Sequence, residues 1–198
     1  AEFGFPLTHP VTLITGGNGV GKSTLLEGIA RAWGFQVEGG PWGVDKPGAR
    51  DPMFGALTLR TGARAKAGYF LRGETHTRVT EFGERSHGES VLELTSRFAQ
   101  DALYLLDEPE SGLSPVAQMA LVAQLHAIGE QGAQVIAVTH SPIVLGVPGA
   151  EIVEVGEHGV DRGLEVEDTL AFRAMRDFLA DPHGIAEYMA DWAEGELG

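Results

Sequence analysis

The segment Gly16-Gly17-Asn18-Gly19-Val20-Gly21-Lys22-Ser23 leaves the apolar run Val11-Thr12-Leu13-Ile14-Thr15 and enters Thr24-Leu25-Leu26. No other part of the chain restricts its fold so strongly. Glycines at positions 16 and 21, followed at once by Lys and Ser, fit the phosphate-binding loop pattern in full. Glycines let successive backbone N–H groups curl around an anion without Cβ clashes. A helix starting behind them aims its positive end at the same anion. Residues 16–24 (Gly16, Gly17, Asn18, Gly19, Val20, Gly21, Lys22, Ser23 and Thr24) are therefore the expected nucleotide contacts. In this reading Lys22 supplies charge to the β- and γ-phosphates and the Ser23 hydroxyl holds Mg²⁺.

Strand and helix signals alternate along the rest of the chain. Val11–Thr15 reads as a buried strand and Ser23–Trp33 as the helix behind the loop. Glycine and proline punctuate Glu38–Gly55, which reads as a loop. Leu57–Arg60 and Gly68–Arg72 read as short strands, and Ser90–Phe98 as a helix with Leu92, Leu94 and Phe98 on one side. Leu103–Leu106 has the unbroken apolar character of a central parallel strand. Ser114-Pro115 is a cap-plus-proline helix start, and that helix runs to about Ile128 with Gly129 near its end. Val135–Val138 and Ile152–Val155 are further strands, and Ser141-Pro142 opens a helical turn. Thr169–Leu179 and Ile185–Trp192 are two amphipathic helices split by Asp181-Pro182. This alternation predicts an α/β fold with a mostly parallel central sheet covered by helices.

A length of 198 residues suits one domain with a sizeable core. No apolar run is long enough to span a bilayer, and no secretory signal pattern opens the chain. The absence of cysteine excludes thiolate metal sites and disulfides and fits a reducing, cytoplasmic setting. Net charge is −14 and uneven: residues 150–198 carry thirteen acids against Arg162, Arg173 and Arg176. Residues 57–85 run the other way, with Arg60, Arg64, Lys66, Arg72, Arg78 and Arg85. So acidic a surface disfavours general nucleic-acid binding, although the short basic segment leaves a local contact open.

Beyond the phosphate loop, Asp107 and Glu108 emerge at the carboxyl end of Leu103–Leu106, where open α/β sheets place their ligands. Asp107 is the expected second Mg²⁺ contact beside Ser23, and Glu108 is free to orient or deprotonate an attacking water. His140 ends the next apolar strand, which suits a hydrogen-bond donor to the γ-phosphate. Ser86-His87-Gly88-Glu89-Ser90 precedes a helix; it reads as a capping box, and the same geometry suits a second phosphate contact. His9, His76, His87, His126, His158 and His183 have no metal-ligand spacing. Tyr188, Met189 and Trp192 lie on the acidic terminal helix and are expected to pack against the domain.

Taken together, these motifs resemble the ABC-type P-loop ATPases, and among them the small predicted ATPases related to the SMC- and RecF-like group. The resemblance covers nearly the whole of residues 1–198 as a single domain, with a reduced variable segment at about 35–88. It rests on the phosphate loop, on Ser86–Ser90 at the signature position, and on Asp107-Glu108-Pro109-Glu110. Ser111-Gly112-Leu113-Ser114 stands as the D-loop, His140 as the switch histidine, and Gly68-Tyr69-Phe70-Leu71-Arg72 also looks like that subgroup. It implies ATP and Mg²⁺ as cofactors, with Lys22, Glu108 and His140 as the catalytic set. It also implies an ATP-dependent, head-to-tail homodimer in which Ser86 and Gly88 contact the γ-phosphate held by the other protomer. Three departures stand out: the signature is not Leu-Ser-Gly-Gly-Gln, no Gln lies between Gln36 and Gln100, and Ser114 replaces the usual D-loop Asp. Glu74 is the candidate for the missing glutamine, and Phe3 and Phe5 for adenine stacking. Three other readings stay open: the nucleotide-binding subunit of a membrane transporter, a small-molecule phosphotransferase, and an ATP-dependent DNA-maintenance module. An unidentified protein partner fits any of them.

Overall fold

The computed structural model describes residues 6–36, 38–43, 59–60, 62, 65–72 and 87–196, with backbone only at 87–90 and 194–196. Among the described residues, seven strands form one sheet: β1 (Val11–Gly16), β2 (Gly40–Pro41), β3 (Ala67–Leu71), β4 (Ala102–Asp107), β5 (Gln134–Val138), β6 (Glu151–Gly156) and β7 (Gly159–Arg162). Their spatial order is β2-β3-β4-β5-β1-β6-β7. The five inner strands are parallel, and the short edges β2 and β7 pair antiparallel. Among the described residues, five α-helices flank the sheet: α1 (Lys22–Trp33), α2 (His87–Thr95), α3 (Pro115–Glu130), α4 (Leu170–Ala180) and α5 (Pro182–Glu196).

Strand periodicity divides the core. Along β4, Tyr104 and Leu106 point to the cluster beneath α2 and α3, whereas Leu103 and Leu105 point to the cluster beneath α1. Along β5 the same alternation sends Val135 and Ala137 one way, Ile136 and Val138 the other. Both faces being covered is why β1, β4 and β5 are buried along almost their whole length and are mostly apolar. Each fully buried leucine, such as Leu13, Leu105 or Leu106, contributes roughly 1.5–3 kcal/mol by leaving water.

Gly129 stands near the end of α3 as expected, and because a Cβ there would lie 2.9 Å from Val11 Cγ2, the glycine lets the helix sit close on β1. Several local expectations are corrected. The helix expected over Ser90–Phe98 is shifted toward the amino terminus, spanning His87–Thr95. Phe98 lies outside it and stacks on Tyr104 with ring centroids 3.6 Å apart. Gly40–Pro41 adds a strand where only loop was expected, and β7 carries no alternating apolar pattern because it is a solvated edge. Residues 59–60 are not strand, and the rest of the expected strand at 57–60 lies outside the described residues. Tyr188, Met189 and Trp192 do not pack on the domain: they are 66%, 51% and 55% exposed. Among the described residues, no helix is long and apolar enough to cross a membrane.

Candidate nucleotide site

β1 delivers the phosphate loop at its carboxyl end, and α1 receives it. Gly16, Gly19 and Gly21 have φ of 132°, 77° and 94°, values that an L side chain rarely adopts. Gly16 is constrained twice, since a Cβ would lie 2.0 Å from the carbonyl oxygen of Val155 on β6. Nothing stands within 4 Å of an added Cβ at Gly19 or Gly21, so their surroundings form an open backbone cradle. α1 has no side-chain cap, because Gly21 in left-handed conformation precedes it. Its first N–H groups are thus left without a capping side chain, which suits an anion.

Lys22 is buried, and its Nζ donates to the Gly17 carbonyl at 2.6 Å. Burial lowers its pKa below 10.5, partly offset by Glu108 and then Asp107. Ser23 Oγ donates to Asp107 Oδ1 at 3.0 Å, joining the starts of α1 and the end of β4. Burial raises the Asp107 pKa above 3.8; the Ser23 bond opposes this, the Glu108 and Glu27 charges add to it, and Arg72 opposes it. Arg72 is itself bound to Glu27 at 2.5 Å.

Register explains how His140 reaches the acids. β5 lies between β1 and β4, with Val138 opposite Asp107 on one side and Ile14 on the other. The residues that follow Val138 therefore emerge between the phosphate loop and the acidic pair. His140 Nε2 stands 3.7 Å from Glu108 Oε1, and both side chains are more than a third exposed. Glu108 adopts φ 47°, unusual for a non-glycine residue and costing about 1 kcal/mol. Its N–H donates to the Val138 carbonyl at 2.9 Å and its carbonyl accepts from Ser111 at 3.0 Å, which hold it there.

Glu110 is the site residue that sequence reasoning missed. Its Oε1 accepts from Thr139 Oγ1 at 2.7 Å and from the His140 N–H at 2.8 Å, while its buried Oε2 has no hydrogen-bond partner among the described residues. Behind it, Ser141 Oγ donates to Gln118 Oε1 at 2.6 Å, and Gln118 donates to the Leu113 carbonyl at 3.1 Å. These bonds fasten the segment after β4 to the segment after β5. A third acid in an acidic run carries no local sign of partners about thirty positions away.

The remaining sequence candidates divide. Gly88 lies in the first turn of α2, whereas Ser86, Glu74, Phe3 and Phe5 lie outside the described residues. Of the basic segment, Lys66 is bound to Asp101 at 2.7 Å and Arg72 to Glu27, so neither presents an unneutralised charge.

Glycine cradle, hydroxyl–carboxylate pair and acid–imidazole pair stand at the carboxyl ends of adjacent strands. Two family models match this chain: "AAA domain, putative AbiEii toxin, Type IV TA system" over residues 45–146 and "AAA domain" over residues 1–46. The chain is similar to the "Cytochrome c biogenesis ATP-binding export protein CcmA" of Zymomonas mobilis, at 28% identity over 148 residues. That match spans 65% of this chain and 65% of the length of the relative. A solved structure titled "An inward-facing conformation of a putative metal-chelate type ABC transporter" matches over 84% of this chain and 77% of its own, at 21% identity and a TM-score of 0.47. With the first family model covering more than half of its length, this chain belongs to the AAA-domain family that this model describes.

Proposed function

We propose that this domain binds ATP with Mg²⁺ and hydrolyses it within a head-to-tail homodimer, residues 1–198 acting as one ATPase domain with a reduced variable segment at about 35–88. The observation that carries the reading is the convergence of Ser23 with Asp107 and of Glu108 with His140 at one edge of the sheet.

The groups present fit their ligands. The open cradle at Gly19 and Gly21 suits phosphate oxygens, and a hydroxyl beside a carboxylate is the hard-oxygen donor set that Mg²⁺ favours. When bound at Ser23 and Asp107, Mg²⁺ supplies neutralisation of phosphate charge. Lys22 exchanges its bond to the Gly17 carbonyl for phosphate oxygens. Glu108 accepts a proton from water as the water oxygen attacks the γ-phosphorus. The bond from that phosphorus to the ADP oxygen breaks, giving ADP and phosphate. His140 stabilises charge on the γ-phosphoryl oxygens. Ser86 and Gly88 of a second copy complete the site, so that hydrolysis reopens the dimer. The substrate is drawn from the cytoplasmic ATP pool.

A decisive experiment is sizing of Glu108→Gln with Mg-ATP, alongside ATPase assays across protein concentration. The reading expects a trapped dimer, and wild-type specific activity that rises with concentration. A variant that stays monomeric and a specific activity independent of concentration would rule out the sandwich. The likeness to an export ATP-binding protein supports a second reading, in which the domain serves a membrane-embedded partner; co-purification with an integral membrane subunit tests it.

A further inference from the structure

Seven large apolar side chains of the two C-terminal helices stand in solvent: Leu170, Met175, Phe178, Leu179, Tyr188, Met189 and Trp192. Along α5, Ile185, Tyr188, Met189 and Trp192 follow the i, i+3, i+4, i+7 spacing of a single stripe. Along α4, Met175, Phe178 and Leu179 repeat the pattern. A stripe of this kind on a surface helix normally faces a core. Here the helices touch each other while both stripes remain outside. Isolated exposed hydrophobic residues need no explanation, but aromatic and methionine side chains gathered on two adjoining helices mark an interaction surface.

The start of the hairpin is anchored to the sheet. Thr169 is buried and caps α4, its Oγ1 accepting from the Phe172 N–H at 3.2 Å and donating to the Val166 carbonyl at 2.7 Å. The Leu170 N–H donates to Glu154 Oε1 at 2.9 Å, tying α4 to β6. Asp181 caps the start of α5 through the Gly184 N–H at 3.0 Å. A partner would therefore meet a preformed surface, which lowers the ordering cost of binding.

Charge selects the occupant. α5 contains Glu187, Asp191, Glu194 and Glu196 and neither Lys nor Arg. α4 carries Arg173 and Arg176, the latter bound to Asp177 at 2.8 Å, while Glu165, Glu167 and Asp168 precede the helix, so residues 165–196 hold nine acids against two arginines. A second copy of this face would set carboxylates against carboxylates, and an anionic lipid surface would be repelled in the same way. An apolar stripe flanked by cations complements both properties at once. Methionine adapts to varied apolar partners, and Tyr and Trp supply rigid anchors.

We propose that the α4–α5 hairpin is a docking surface for a basic amphipathic helix of a partner protein, with Tyr188, Met189 and Trp192 as its anchors and Glu187 and Asp191 as its charged rim. This proposal stands apart from ATP hydrolysis, since none of these residues belongs to the nucleotide site.

The test titrates the whole chain with a synthetic leucine–lysine amphipathic helix, following tryptophan emission and calorimetry. A leucine–glutamate helix of the same pattern and anionic vesicles serve as comparison arms. Binding of the lysine peptide alone is expected, weakened about tenfold or more in Tyr188→Ala/Trp192→Ala. Glu187→Lys/Asp191→Lys should lose the lysine peptide and gain the glutamate peptide, with unchanged circular dichroism showing that the fold persists. The proposal is overturned if the lysine peptide fails to bind, or binds the alanine variant equally well. It is overturned equally by vesicle binding that depends on Trp192, or by nucleotide-free self-association that the alanine variant abolishes.

Discussion

Glu110 holds the backbone N–H of His140 at 2.8 Å, although thirty residues separate them in sequence. The same oxygen takes the Thr139 hydroxyl at 2.7 Å, so one carboxylate sets the segment that presents the imidazole to Glu108. Two strands carry Glu108 and His140, and Glu110 fixes their spacing.

Removing that carboxylate should therefore cost turnover before it costs affinity. Glu110→Ala leaves two donors without their acceptor, lowering stability by about 1–3 kcal/mol. We expect kcat to fall about tenfold to a hundredfold, with KM for ATP little changed. Glu110→Gln keeps an acceptor oxygen and should restore most of the rate. Equal losses in the two variants would mean that the charge, rather than the hydrogen bonds, matters.

Asp107 should show the opposite balance between function and stability. Burial raises its pKa, so the ionised carboxylate is a cost to the nucleotide-free fold near neutral pH. A group whose folded pKa lies above its unfolded value stabilises the fold at low pH and loses that contribution as pH rises through the folded value. Asp107→Asn, which still accepts from Ser23, should stabilise the apo protein at pH 7 by on the order of 1 kcal/mol, about 2–4 °C in Tm. The advantage should shrink as pH falls through the raised pKa toward 3.8, and Mg²⁺-dependent hydrolysis should be lost. Thermal melts against pH read the first effect and phosphate release the second.

Neighbouring glycines of the phosphate loop should respond very differently to alanine. At Gly16 a Cβ would lie 2.0 Å from the Val155 carbonyl, in a backbone conformation unsuited to alanine. Displacing β1 from β6 should cost about 3 kcal/mol or more and abolish nucleotide binding. At Gly17 the nearest atom is 3.8 Å away and φ is not positive, so Gly17→Ala should fold with wild-type stability. Denaturant midpoints of the two variants decide this.

Gly129→Ala isolates packing from helix propensity. Alanine is the better helix former by roughly 1 kcal/mol. Its Cβ would nevertheless meet Val11 Cγ2 at 2.9 Å and Pro10 Cβ at 3.4 Å. Val11 is β-branched and buried in β1, so it yields little. We expect a net loss of about 1–2 kcal/mol in equilibrium unfolding; a gain would show that α3 moves freely over β1.

Sequence alone determined whatever depends on neighbouring residues. The loop from Gly16 to Ser23, the apolar runs of β1, β4 and β5, the Ser114-Pro115 start of α3 and the break at Asp181-Pro182 are local signals. Each reflects steric freedom, periodicity or capping within a few residues. The parallel α/β class follows from their alternation. Tertiary structure decided which chain segments meet. Insertion of β5 between β1 and β4 brings His140 to Glu108. The Val138 carbonyl holds Glu108 at positive φ, and Glu110 finds its donors across the loop. The final two helices carry the same 3.6-residue periodicity as buried ones, yet only the fold reveals that their apolar stripes stay exposed among the described residues. Periodicity specifies that a face is apolar; what it packs against is a property of the whole assembled surface.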